Sequence, residues 1–347
     1  MSLTYKKLWE DYDEFDLPSI ELKIDGKDLA KAEKCTVTDT VITVSCGKDA
    51  NCAVVTISTE PEESELKSFL QIGLKAEISL GYANKLKLVF CGYLHELTVI
   101  EDETGIGYQL LCLDCKGLMA LGGFTKRQEK KKLSAVINEI LSTSPYSAFY
   151  SGKTVDAIPA AFDLPAAVMD ESNYGFLCRW ADLLGFYFFL SADKLFFVSD
   201  ADKPKAPQVE LKQGEGVVSS ETTASLSNQV KKVTLVSFDD DGKRIAESEA
   251  RPGEKGIAKD KLSGVLGAEK IILYPAFAKK EQLEYLKSVR MDEIQREYCR
   301  INAVCIGLPE LAPLGKLKFD GMLFRITQTV HRFNNNGYET EVSAFAI

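Results

Sequence analysis

The stretch ESNYGFLCRWADLLGFYFFL, residues 171–190, divides into three parts. Phe176, Leu177, Trp180, Ala181 and Leu184 recur at helical spacing, so one face of a short helix is apolar. Ser172 is placed to cap its N-terminus, and Gly185 to stop it in a left-handed C-cap. Phe186–Leu190 then run as a strand of aromatics, the residue type that fits a packed pleated surface. Ala192-Asp193-Lys194 turns the chain, and Leu195–Val198 returns. The segment is a helix set against a hairpin, with Trp180 buried on the helix and no catalytic group. Taken alone it would also fit a corner of an α+β enzyme.

Upstream, Leu133, Val136, Ile137, Ile140 and Leu141 mark a second amphipathic helix, and Pro145 lies beyond its end. Residues 122–205 therefore read as a middle α/β domain, and Lys203-Pro-Lys-Ala-Pro207 as a linker. Before it, residues 18–121 read as β. Ile20, Leu22 and Ile24 alternate up to a turn at Asp25-Gly26, and Val37–Ser45 and Ala53–Ser58 follow. Glu60–Glu63 reads as the acidic start of a short helix. Strands Ala76–Gly81, Lys85–Tyr93, Leu94–Glu101 and Gly107–Cys115 complete the section, with a turn at 103–105. Short strands at this spacing suggest a barrel or sandwich.

After the linker, residues 206–347 are β-rich again. Val230–Phe238 turns through Asp239–Gly242 into Lys243–Ala246. That acidic turn is no EF-hand, because position twelve is Ala250. Lys279–Tyr298 reads as one helix. Leu323–Phe333 pairs with Tyr338–Ile347 through Asn334–Gly337, a strong hairpin signal. Both β sections end in a hairpin after a helix, so one fold twice is a suspicion from element order. At the front, Trp9, Tyr12 and Phe15 stand among acidic residues in a 1–17 arm. It either docks onto a neighbour or packs on its own domain.

A chain of 347 residues suggests two or three domains. Its net charge of −9 comes without a basic stripe, which argues against gripping nucleic acid through phosphates. Lys130–Lys132 reads as a solvated helix entrance. The N-terminus lacks the apolar core of a signal peptide, and no run is long enough to cross a bilayer, so synthesis and folding in the cytoplasm are expected. Nine cysteines are scattered, most within apolar patterns (Cys35, Cys91, Cys112, Cys178, Cys299, Cys305), as buried free thiols would be. Cys112-Leu-Asp-Cys115 lacks the second pair that zinc needs. Placed in or at the end of a strand, it also lacks the setting of a redox motif.

Catalytic chemistry is sparse. His95 and His331 each sit on a strand between apolar neighbours, with no second histidine at metal spacing. There is no G-x-S-x-G elbow and no phosphate-cradling glycine loop. Asp170 and Glu171 are adjacent at a helix start, where acids favour the helix dipole more readily than they form a glycosidase pair. No catalytic, cofactor-binding or metal residue is assigned.

Three separated segments resemble the hub proteins of contractile injection machines: phage late-control D proteins, baseplate hubs, and the N-terminal part of VgrG-type spikes. The first is Glu171, Ser172, Asn173, Tyr174, Phe176, Leu177, Arg179, Ala181, Gly185, Tyr187, Phe188 and Phe189. The second is the strand Leu88–Leu97 with Tyr108, Leu110, Asp114 and Leu118. The third is Pro309, Leu311, Pro313 and Gly315, then Phe324, Ile326, Val330, His331, Phe333, Gly337, Tyr338 and Thr340. Phe324 stands where the family usually has Tyr, and Leu314 separates Pro313 from Gly315.

The resemblance implies a mainly β fold with an α+β insert, two tube-like β-barrel domains (18–121 and 206–347) flanking the middle one. It implies a structural, non-enzymatic subunit: a homotrimer whose six barrels form a pseudo-sixfold ring joining tail tube to spike. The chain ends right after the last hub hairpin, so the spike is expected to be a separate protein. Other baseplate proteins are the remaining expected partners, without specific nucleic-acid binding or membrane insertion. Such a subunit is expected in the bacterial cytoplasm during assembly, then in the baseplate of a phage or bacteriocin particle. A tail-associated cell-wall hydrolase is the alternative, and a carbohydrate-binding module a weaker one. The net charge further suggests an acidic lumen wall, which would repel a passing polyanion.

Overall fold

The structure, a computed structural model, describes residues 2–29, 35–59, 66, 69–102, 105–121, 131–165, 171–251, 269–274 and 279–347. It is mainly β with an α+β insert, as expected. The arm holds β1 (Ser2–Thr4) and α1 (Tyr5–Asp11). The first β section has β2 (Pro18–Ile24), β3 (Lys27–Asp28), β4 (Thr36–Ser45), β5 (Cys52–Thr59), β6 (Lys75–Tyr82), β7 (Lys85–Asp102) and β8 (Gly105–Leu113). The middle has α2 (Cys115–Leu121), α3 (Leu133–Ile140), β9 (Gly152–Val155), α4 (Asn173–Leu184), β10 (Tyr187–Ser191) and β11 (Lys194–Val198). Then come β12 (Gln208–Gln213), β13 (Gly216–Ala224), β14 (Lys232–Phe238), β15 (Arg244–Ala250), β16 (Glu269–Leu273) and α5 (Lys280–Arg296). The chain closes with β17 (Cys299–Ile306), β18 (Lys316–Phe319), β19 (Met322–Asn334) and β20 (Gly337–Ala346). The acidic helix start at 60–63 and Lys130 lie outside the described residues, as do Asp170 and 103–104 of the expected turn.

Strands of both β sections join one 14-stranded sheet. The second section closes into a six-stranded barrel, β12-β13-β17-β20-β19-β18, because β18 pairs with β12 as well as β19. The first runs β2-β6-β7-β8-β5-β4, and β4 pairs with β19 of the barrel. Alternation along most of these strands puts every second side chain inside. Leu22, Ile42, Val55 and Leu110 of the first section share one apolar cluster with Val209, Ile301, Ile326 and Val342 of the second. The sequence reading split 85–101 into two strands. In the fold β7 is one strand whose first half pairs with β6 and whose second half pairs with β8 alone, with a bulge between Leu94 and Glu96. A bulge re-aims a strand without ending it, so the change of partner looked like a break.

In the 171–190 corner, Ser172 Oγ accepts the Gly175 N–H at 3.1 Å, and Gly185 caps α4 at φ 66°. Glu171 pairs with Arg179, whose guanidinium lies over Phe176 and Trp180. Trp180 is half-buried, not buried, because it lies on the rim of the apolar face. The β10–β11 hairpin is apolar on both faces because both are covered. Phe188, Leu190, Leu195 and Phe197 turn to α4 and the middle core. Phe189 and Phe196 stack at 5.2 Å and pack with Cys46 and Leu314, one from each β section. Each such fully buried side chain contributes about 1.5–3 kcal/mol relative to exposure.

The sequence pattern places Val230–Phe238 and its hairpin in the second β section. Instead β15-β14-β16 is a separate three-stranded sheet. With α5 it packs into the middle core through Val233, Leu235, Leu283 and Leu286. The local pattern gives a strand but not the sheet it joins. At its turn Asp239 Oδ1 accepts the Asp241 and Lys243 N–H groups at 3.2 and 2.8 Å, an Asx-type turn. The 203–207 linker is tied down: Lys203 pairs with Asp156, and Pro207 O accepts the Lys316 N–H.

The arm packs on its own chain and bridges both sections. β1 pairs with β12. Tyr12 lies 5.3 Å from the Tyr82 ring of the first section, and its hydroxyl donates at 2.7 Å to buried Glu310 of the second. Lys87 Nζ reaches the same carboxylate at 2.6 Å.

Candidate assembly site

The two β sections contain the same four-stranded unit. In the first the sheet order is β7-β8-β5-β4, and in the second β19-β20-β17-β13. Chain order agrees under this match: β4, β5, β7, β8 against β13, β17, β19, β20. The irregularities agree too. The β4–β5 ladder slips between Val37 and Asp39, and β13–β17 slips between Val217 and Ser219. The β7–β8 ladder slips between Leu94 and Glu96, and β19–β20 between Ile326 and Gln328. Both hairpins end alike, pairing Asp102 with Gly105 and Asn334 with Gly337. The sequence suspicion of one fold twice thus has a residue-level form.

The β4–β19 ladder joins the two units, from Gln328↔Ser45 to Asn334↔Asp39. The result is an all-antiparallel run of eight strands, β7-β8-β5-β4-β19-β20-β17-β13. Its outer edges lie on β7 and β13. β13 pairs with β12 only at Gly216 and Val217, and no strand among the described residues pairs with the outer edge of Glu221–Ala224. The same holds for the outer edge of Glu96–Ile100 on β7. Open edges of this length are templates for another strand.

One face of the eight strands packs on the apolar cluster, except along Val218–Ala224, which is exposed on both faces; the other face is exposed or half-exposed apart from a few buried residues, Arg325 and Phe345 among them. The registers put Asp39, Glu96, Glu221, Glu339 and Glu341 on the second face, against Arg300, Arg325 and Arg332. Among the described residues these paired segments place no lysine there. Arg332 Nε donates to Glu341 at 2.8 Å, Arg300 pairs with Glu297 and Arg325 with Asp202, so the unneutralised charge of the face is acidic.

His331 is fully buried, with Nδ1 2.9 Å from the Tyr338 hydroxyl and 3.1 Å from Thr340 Oγ1. Thr340 Oγ1 in turn accepts the Leu308 N–H. Burial lowers the imidazole pKa to about 3. Three residues of the third resemblance segment thus meet in one buried cluster. His95 is half-buried beside Tyr93. Glu171 is taken by Arg179.

Cys112 lies in β8, where the sequence reading placed it, while Cys115 opens α2. Burial pushes the Cys112 thiol up to about 12 and raises Cys115 well above its usual value, the reverse of a reactive pair. Among the described residues no group of three or more His, Cys, Asp or Glu side chains could hold a metal ion.

Sequence reasoning missed the Asn51–Asp114 node. Asp114 is wholly buried, accepting the Asn51 and Lys116 N–H groups at 3.0 and 2.9 Å. Its pKa is raised by burial, against the pull of Lys116 and these two bonds. Asn51 Oδ1 accepts the Ser45 N–H, and its Nδ2 donates to Leu190 O of the hairpin, both at 3.0 Å. Asp114 belonged to the second resemblance segment, but nothing local pointed to Asn51.

Several solved structures share this fold. The tail protein from Neisseria meningitidis MC58 is 12% identical at a TM-score of 0.69, over 95% of this chain and 96% of that one. The 43 kDa tail protein of prophage MuSo2 from Shewanella oneidensis is 14% identical at 0.66, over 94% and 98%. The E. coli c3393 protein, a component of the type VI secretion system, is 10% identical at 0.61, over 94% and 77%. At such identities the likeness is one of fold. No curated protein matches the sequence. No described helix is long and apolar enough to cross a membrane. A family model described as Alg8 N-terminal domain matches residues 14–343, which take in both four-stranded units, the middle core and the end of the arm, and the chain belongs to that family.

Proposed function

We propose that the chain is a structural hub subunit of a contractile injection machine, acting as a homotrimer. The observation that supports this best is the eight-stranded run: one unit twice, joined edge to edge, with an open edge at each end. The end strands β7 and β13 run in opposite directions, so a neighbour's β13 can continue the antiparallel order on β7. Such head-to-tail contacts form a ring if the rotation closes. Three chains would supply six units, matching a sixfold tube on one side and a threefold spike on the other. The E. coli relative in fold is a secretion-system component whose description notes similarity to tail proteins of phage T4, which supports this class of machine.

The partners in this reading are the tail tube protein, the spike and other baseplate proteins, and assembly takes place in the bacterial cytoplasm before the particle is complete. In this reading the chain is divided into an arm (1–17), a first β domain (18–121), a middle domain (122–205) and a second β domain (206–347), whose β14–β16 sheet and α5 pack onto the middle. The acidic face of the eight strands lines the lumen.

Light scattering tests the assembly. A mass of three chains is the expected result, and a stable monomer at high concentration refutes the ring. Lysis of peptidoglycan in a turbidity assay, lost on single carboxylate changes, would favour the hydrolase alternative.

A further inference from the structure

The seam inside the chain gives a template for the seam between chains. In the matched units β13 corresponds to β4 and β7 to β19, and the bulges fix the alignment residue by residue. Asp39 and Ser219 both follow the first bulge. From there Val41 matches Glu221, Thr43 matches Thr223 and Ser45 matches Ser225. Gln328 and Glu96 both follow the second bulge, so Val330 matches Thr98 and Arg332 matches Ile100. The internal ladder pairs Gln328 with Ser45, Val330 with Thr43 and Arg332 with Val41.

The geometry points to a second copy of this chain on the β7 edge, with Glu96↔Ser225, Leu97↔Ala224, Thr98↔Thr223, Val99↔Thr222 and Ile100↔Glu221 as its register. This rests on the ring reading and adds to it a seam of defined alignment.

The side chains suit that register. Leu97 and Val99 are half-buried at the margin of the apolar cluster. Opposite them would come Ala224 and Thr222, small and exposed. The internal seam likewise sets Thr329 and His331 against Val44 and Ile42 on its core face. On the other face Thr98 meets Thr223, a cross-strand pair of β-branched hydroxyls. A slip by one residue would turn Leu97 and Val99 against residues pointing to the opposite face, so the register is restricted.

The test is disulfide trapping in the full chain carrying Thr98→Cys and Thr223→Cys. Mild oxidation is expected to give a covalent ladder ending at three chains on a non-reducing gel, while each single variant stays monomeric on the gel. Pairing Thr98→Cys with Glu221→Cys or Ser225→Cys displaces the partner by two residues on the same face, and at least a tenfold lower yield is expected. If a displaced pair crosslinks best while light scattering still gives a trimer, the register is wrong and the ring stands. If all three double variants and the unmodified chain are monomeric by light scattering and no pair crosslinks, register and ring fall together.

Discussion

His331 makes the stability of this protein depend on acid in a calculable way. The ring is 1% exposed, and its pKa falls from the usual 6.5 to about 3 through burial. The unfolded chain therefore takes up the proton first as pH falls. The contribution of the neutral ring is fully present above pH 6.5 and is lost progressively between 6.5 and 3. Between pH 7 and pH 5 the folded ring stays neutral while the unfolded one becomes almost fully charged, which costs about 2 kcal/mol of folding free energy. The measurement is urea unfolding of the protein and of His331→Gln at both pH values. Other titrating groups, Asp114 among them, are common to both proteins and cancel in the difference. The variant starts less stable at pH 7, since Tyr338 and Thr340 lose a partner, and that deficit should shrink by about 2 kcal/mol at pH 5. A deficit unchanged between the two values would refute the buried neutral histidine.

Two more outcomes follow from the buried polar groups. Asn51→Ala leaves the Ser45 N–H and Leu190 O without their side-chain partners where the first β section meets the hairpin. A loss of about 2–5 kcal/mol is expected in the same urea assay, and a change under 1 kcal/mol would show that this node carries nothing. Burial pushes the thiols of Cys46, Cys91, Cys112 and Cys305 up to about 12, while Cys52 and Cys178 are half-buried. Alkylation at pH 8 followed by mass spectrometry should mark only Cys52 and Cys178 in the native protein and all nine in denaturant. Rapid native labelling of Cys112 or Cys115 would contradict the burial.

What could be read from the sequence was local. The 171–190 corner and the closing hairpin are set by residues within a few positions of each other: Ser172 on Gly175, Gly185 at the helix end, Asn334 across from Gly337. The helices at 133 and 280 were equally plain from their apolar spacing. Long-range pairing was not legible. The hairpin at 230–246 reads as part of the second β section, although it joins a separate sheet, because alternation states which face is apolar but not what covers it. The unbroken aromatics at 186–190 showed a buried strand, yet the second covered face, with Cys46 and Leu314, needed three dimensions. The open edges left no signal either, since Ser220–Ala224 is a polar strand like many others.

The internal duplication was hidden for a more specific reason. Under the alignment fixed by the bulges, Val99 stands where His331 does, Ile106 where Tyr338 does and Tyr108 where Thr340 does. The second unit thus carries a buried polar cluster at positions where the first has mainly apolar side chains, so no repeat shows in the residues. The positions of the bulges and the inside–outside alternation are the same. Bulges set local twist and direct each strand at its neighbour. A core can be filled by many combinations of side chains of suitable volume, but a ladder tolerates no slip of one residue without inverting every face. A ring assembled from such units closes only if each unit turns the sheet by the same amount. Selection for closure would then act on the bulges and leave the core chemistry free to diverge, and that is the pattern the two halves of this chain present.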